Sequence, residues 1–105
     1  MSGEKLIYCF DIDNTILYSE CDEKGNYKLV GENRELIRKI NELYDADNTI
    51  IIQTGRHWNH LRVTIDQLKN AGVKYHTLEM GKPFAHFYID DKGITPEDFL
   101  ESTKN

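Results

Sequence analysis

Two carboxylates, Asp11 and Asp13, stand two positions apart directly after the apolar run Leu6-Ile7-Tyr8-Cys9-Phe10. Such a run reads as a buried parallel strand, and strand side chains alternate between faces, so Asp11 and Asp13 lean to one side with Ile12 opposite. Asn14 and Thr15 then turn the chain away. Like charges a few ångströms apart repel, and the pair is tolerable when a cation bridges it or when one carboxyl keeps its proton. Either outcome is chemistry. An N-cap or an Asx turn accounts for one acid after a strand and not for both.

Further chemistry-bearing groups recur at the ends of other apolar runs. Thr49-Ile50-Ile51-Ile52-Gln53 is β-branched and continuously apolar, a second buried strand, and it runs into Thr54-Gly55-Arg56. Val73 to Leu78 alternates as a third strand does and is broken by Met80-Gly81-Lys82-Pro83, while His86-Phe87-Tyr88-Ile89 is a fourth short strand ending in Asp90-Asp91. The acids, the lysine and the threonine hydroxyl form a hard-oxygen set suited to Mg²⁺, with no Cys or His at metal-ligand spacing. A lysine and a metal together hold a dianionic group. This suits phosphoryl transfer, where catalysis is mostly positioning and charge stabilisation.

The elements that must position these groups follow from periodicity. Residues Ile16 to Val30, with turn chemistry at Glu23-Lys24-Gly25-Asn26, read as a loose hairpin or flap that leaves the carboxylates and overhangs them, with Tyr18, Tyr27 or nearby flap residues expected at the substrate entrance. Leu36, Ile37, Ile40, Leu43 and Tyr44 mark a helix of about three turns, opening near Glu32 or Asn33 and closing at Asp45-Ala46-Asp47-Asn48. Trp58, Leu61, Ile65 and Leu68 predict the inner face of a second helix, stopped by Asn70-Ala71-Gly72. Thr95 as cap and Pro96 as first helical residue open a short final helix. Strand and helix alternate, which predicts an α/β domain with a parallel sheet whose ligand sits at the carboxyl ends of the strands.

The order Asp11-x-Asp13-Asn14-Thr15, then Thr54, Lys82 and Asp90-Asp91, resembles the haloacid dehalogenase superfamily of aspartate-nucleophile phosphatases across nearly the whole chain. Thr-x-Arg after the second strand, and Gly-Lys-Pro followed shortly by Tyr-Ile-Asp-Asp, are similar to the small capsule-biosynthesis phosphatases of that superfamily. The resemblance implies a compact Rossmann-like sheet of about four strands in the order third-second-first-fourth. It implies Asp11 as the nucleophile and Asp13 as the acid–base residue, with the Asp13 main-chain carbonyl helping to hold Mg²⁺. Asp91 is implied as the direct metal ligand, with Asp90 behind it or acting through water. Thr54 would bind the transferring phosphoryl, Lys82 would neutralise it, and Asn14, Gly55 and Arg56 would stand beside the substrate. Arg56 has a second reading, as a brace on an acid of a neighbouring loop. The presence of Asp13 selects phosphatase or phosphomutase within the superfamily, and the motif spacing leaves no room for the cap domain that mutases carry.

Composition bounds these readings. A chain of 105 residues with 39% hydrophobic content is expected to form one domain over residues 1–105 around one modest core. The net charge of −5, with thirteen Lys and Arg scattered among eighteen acids, argues against a nucleic-acid partner. Cys9 and Cys21 make no disulfide scaffold, and no apolar stretch approaches the ~18 residues of a membrane span, so a cytoplasmic protein without a membrane partner is expected. The expected partner is a small phosphomonoester, and the open edges of a small sheet argue for a homodimer over a monomer. Rival classes are a phospho-accepting receiver module, an idle binding domain of the same fold and a polynucleotide end phosphatase. A receiver needs an aspartate at the end of its third strand, which this sequence does not supply.

Overall fold

The computed structural model describes residues 4–56, 58–79, 87–89 and 94–102, without the side chains of Trp58 and Tyr88. The elements follow in the order β1 (Ile7–Asp11), β2 (Leu17–Cys21), β3 (Tyr27–Glu32), α1 (Arg34–Asp45), β4 (Thr49–Gln53), a 3₁₀ turn (Trp58–His60), α2 (Leu61–Ala71), β5 (Thr77–Glu79), β6 (Phe87–Ile89) and α3 (Pro96–Ser102). Four of the strands form a parallel sheet in the order β5-β4-β1-β6, and β2 with β3 form a separate antiparallel ribbon. The sheet order is the one expected. Together these elements make a Rossmann-like α/β fold flanked by helices.

The apolar alternation of the strands decides where the helices go. Phe10, Ile50, Ile52 and Ile89, with Tyr8 and Leu78 partly buried beside them, share one cluster with Leu36, Ile37 and Ile40 of α1, Leu68 and Ala71 of α2 and Phe99 of α3. Parallel pairing matches Tyr8 to Ile50 and Phe10 to Ile52, so these side chains line one face of the sheet. Phe99 sits edge-on to both Tyr8 and Phe10, with ring centroids 5.9 and 5.6 Å apart. Among the described residues no helix is long and apolar enough to cross a membrane.

Helix ends are fixed locally. The Asn33 side chain accepts the Leu36 N–H at 3.1 Å to open α1 and donates to the Thr15 carbonyl at 3.3 Å, so one cap ties the helix to the turn that follows the acids. Gly72 closes α2 in the left-handed conformation, with φ 77°.

Two expectations are corrected. Ile65 does not belong to the inner face of α2: it is exposed, and Thr64, Gln67, Leu68 and Ala71 are the buried residues. Two polar side chains point inward there because a buried arginine needs their oxygens. The third strand is also shorter than the alternation from Val73 suggests. The Val73 N–H returns to Leu68 O and the Lys74 N–H goes to Asn41 Oδ1, so these residues finish α2 and dock on α1 before the ladder begins at His76 N–H to Ile50 O. His76 is exposed, and its Nδ1 accepts the Ile50 N–H at 3.0 Å.

Candidate active site

Asp11 is the last residue of β1 and stands opposite Gln53, the last residue of β4, which in turn stands opposite Glu79 at the end of β5. All these strands therefore finish at one edge. Beyond that edge the chain after β1 winds a single tight turn around one carbonyl: Ile12 O accepts the N–H groups of Thr15, Ile16 and Leu17 at 3.2, 2.9 and 3.0 Å. Asn14 takes the left-handed conformation, φ 62°, that asparagine tolerates better than most residues, and its N–H closes on Leu17 O. Ile12 is fully buried and anchors the turn in the core. Asp11 and Asp13 on either side of it are half-buried, and Asn14 is exposed. Thr15 is fully buried, and its hydroxyl has no partner among the described residues.

The ribbon of β2 and β3 springs from this turn and alternates cleanly. Leu17 and Ser19 of β2, with Tyr27 and Leu29 of β3, are the more buried positions, while Tyr18, Glu20, Lys28 and Val30 are exposed. Ser19 therefore faces back to the acids, and its hydroxyl donates to Asp13 Oδ1 at 2.7 Å. Tyr18 stands on the outer face against Gly31, so it does not share the Ser19 side of the ribbon.

After β4, Thr54 is buried and its Oγ1 accepts the Arg56 N–H at 3.0 Å, while its own N–H bonds Glu79 O. Gly55 is exposed, with open space where a side chain would stand. Arg56 turns inward. Its side chain is completely buried, and each of its five N–H donors has an acceptor. Nε bonds Asp13 Oδ2 at 3.1 Å and Nη2 bonds Asp13 Oδ1 at 2.8 Å, a two-point grip on the carboxylate. Nη2 also reaches Ser19 Oγ at 3.2 Å, and Nη1 bonds Thr64 Oγ1 at 3.0 Å and Gln67 Oε1 at 2.8 Å. The guanidinium lies 4.2 Å from the centre of the Tyr27 ring. Tyr27 is held in turn by an edge contact with His60 and, through its carbonyl, by the Gln67 amide.

Of the two readings of Arg56 this is the brace. The sequence reading named Arg56 and Asp13 but missed Ser19, Thr64 and Gln67. A signal for two of them was present, since Thr64 and Gln67 share a helical face with Leu68 and Ala71, and paired polar residues on an apolar face call for a buried partner.

The chain matches no family profile and no curated protein. Among solved structures, a conserved protein from Bacteroides thetaiotaomicron is 18% identical and superposes with a TM-score of 0.67, over 96% of this chain and 94% of that one. The two share a fold. A Vibrio cholerae protein proposed to be a 3-deoxy-D-manno-octulosonate 8-phosphate phosphatase is 17% identical, with a TM-score of 0.48 over 71% of this chain and 40% of that chain.

The arrangement brings Asp11, Asp13, Thr54, Gly55 and Asn14 to one edge of the sheet. Lys82, Asp90 and Asp91 lie outside the described residues, as do His57, His86 and the Met80-Gly81-Pro83 positions around Lys82. Among the described residues no three Asp, Glu, His or Cys side chains group as a metal site. The oxygens present do suit a hard cation. The turn after β1 uses the carbonyls of Ile12 and Leu17 and not that of Asp13, so the Asp13 carbonyl and the Asp11 carboxylate are ligands of the right kind. The Asp13 side chain, gripped through both oxygens, is not.

Proposed function

We propose that this protein is a Mg²⁺-dependent phosphomonoester hydrolase of the haloacid dehalogenase type, without a cap, working through a phosphorylated Asp11. The observation that carries the reading is the state of Asp13. An aspartate two residues beyond the strand-end aspartate is held by three hydrogen bonds, two to Oδ1 and one to Oδ2. A carboxylate offers about four lone-pair directions, so one remains on Oδ2. That is the arrangement an acid–base group needs: fixed in place, with one position for a proton.

In this reading an Asp11 oxygen attacks phosphorus and the bond to the leaving oxygen breaks, with Asp13 giving its proton to that oxygen. Water then attacks the phosphorus of the acyl phosphate and passes a proton to Asp13, which releases phosphate and regenerates both carboxyl groups. Thr54, one residue beyond the partner of Asp11, holds a phosphoryl oxygen, with Gly55 and Asn14 beside it. Lys82 neutralises charge. Asp11, the Asp13 carbonyl and Asp91, with Asp90 behind it, would hold Mg²⁺, which supplies charge stabilisation to the phosphoryl oxygens.

The resemblance to capsule-biosynthesis phosphatases supports a sugar phosphate or similar small metabolite in surface-polysaccharide precursor synthesis. The same reading carries a cytoplasmic setting, no nucleic-acid or membrane partner, and a homodimer formed through an open sheet edge. After the acid pair of β1, strands β4 and β5 end in Gln53 and Glu79 and not in the further aspartate a receiver module requires.

Turnover of an aryl phosphate with and without Mg²⁺ tests the activity. Wild-type protein should need the metal, and Asp11→Asn should abolish turnover and phosphoenzyme formation. Full activity in Asp11→Asn would refute the mechanism.

A further inference from the structure

We propose that Arg56 is a positioning residue that latches the β2–β3 ribbon over the strand ends and fixes the Asp13 carboxylate, so that the ribbon is a standing wall of the site and not a moving lid. The part concerning Asp13 rests on the phosphatase reading above; the latch itself does not. The hairpin expected from sequence to overhang the acids is tied down by what Arg56 touches. Its guanidinium joins the acid turn through Asp13, β2 through Ser19, β3 through the Tyr27 ring and α2 through Thr64 and Gln67. Four parts of the chain meet on one fully buried cation.

Saturation is what makes this a latch. If the ribbon swung away, Ser19 and the Tyr27 ring would leave a guanidinium that has no exposed surface, and Gln67 would lose the Tyr27 carbonyl. A buried charge short of partners is among the more expensive things a fold can hold. Substrate gains nothing from Arg56 directly, because no N–H of the side chain is left to offer it. The residue acts through Asp13. A two-point fork sets the plane of that carboxylate, and the Ser19 hydroxyl adds a third bond, which together determine where the remaining acceptor direction on Oδ2 points.

Lysine at this position keeps the charge and loses the planar fork. The experiment compares wild type with Arg56→Lys, Arg56→Ala and Ser19→Ala in two measurements. The first is amide hydrogen exchange across the ribbon, which needs no activity. Arg56→Lys should speed exchange of the ribbon amides by about tenfold or more while the β1 and β4 amides keep their protection. The second is Mg²⁺-dependent turnover of aryl phosphates with graded leaving groups. In Arg56→Lys, kcat should fall about 10²-fold for poor leaving groups and far less for activated ones, with KM changed by no more than about twofold. Ser19→Ala should move both readouts in the same direction by less, and added guanidinium should restore part of the Arg56→Ala loss.

Ribbon exchange in Arg56→Lys equal to wild type would overturn the latch. A loss of kcat equal across all leaving groups would overturn the positioning of Asp13. If wild type has no turnover, the phosphatase reading fails, and exchange alone decides whether Arg56 holds the ribbon. Should Arg56→Ala fail to fold, Arg56→Lys and Ser19→Ala carry the same decision.

Discussion

The Asp13 carboxylate is defined by what surrounds it. Asp11 and Asp13 are both half-buried acids where β1 gives way to the turn, and Arg56 and Ser19 hold the Asp13 carboxylate in one orientation. That fixed orientation is what the proposed acid–base role asks of Asp13. Asp13→Asn keeps an oxygen for part of the grip and loses the titrating proton. It should cost roughly 10²–10⁴ in kcat for substrates with poor leaving groups, and much less when the leaving group needs no proton. A steady-state series over aryl phosphates checks this, and an equal loss at every leaving group would contradict the assigned role. The spacing of the acids was readable in the sequence because a strand's period of two makes it meaningful. The identity of the acid's brace was not, since Arg56 lies far along the chain and meets Asp13 only through the parallel pairing of β1 and β4.

At the scale of elements, the ribbon is held at two places. Arg56 grips it at Ser19 in the middle of β2 and at Tyr27 where β3 begins, and Asp22 closes its tip. Asp22 Oδ1 accepts the N–H groups of Asn26 at 2.8 Å and Lys24 at 2.9 Å, and Gly25 closes the turn with φ 83°. The bond from the Asn26 backbone, followed by those from Lys24, the Asn26 side chain and Gly25, outweighs burial and lowers the Asp22 carboxyl from its ordinary 3.8. The sign follows: a group with a depressed folded pKa stabilises the turn fully above its unfolded value and loses that contribution as pH falls through the lower, folded value. In an NMR titration the Lys24 and Asn26 amides should therefore shift with a midpoint below 3.8, and Asp22→Ala should remove the transition. A midpoint at or above 3.8 would mean that the turn does not prefer the charged form.

The helices and long strands were legible where one rule acts alone. α1 has an apolar stripe and an asparagine cap, and β4 is an unbroken β-branched run. α2 was legible in its stop at Gly72 but not in its start, where Trp58–His60 form a 3₁₀ turn before Leu61, nor in its facing, because its inward side serves a cation as well as the core. β5 was overcalled because alternation continues through residues whose hydrogen bonds belong to α1 and α2.

For the whole molecule, one cluster under one face of the sheet carries the three helices, so its stability should be sensitive to loss of volume at the centre. Ile52, fully buried on β4 beside Phe10, is such a position. Ile52→Ala should cost about 2–5 kcal/mol, read from the midpoint of a denaturant melt. A loss well under 1 kcal/mol would mean that the site can collapse around the gap. The saturated guanidinium has a different consequence, for how the sequence is free to drift. Because every donor of Arg56 is spent, its partners are not independent sites: Thr64 and Gln67 earn their inward places only while the arginine is there. Single replacements at Ser19, Thr64 or Gln67 each strand a buried donor, whereas an apolar residue at position 56 could coexist with apolar residues at 64 and 67. Related chains should therefore change these positions as a set, and a lineage that has given up Arg56 should have a greasy α2 inner face and a ribbon free to swing.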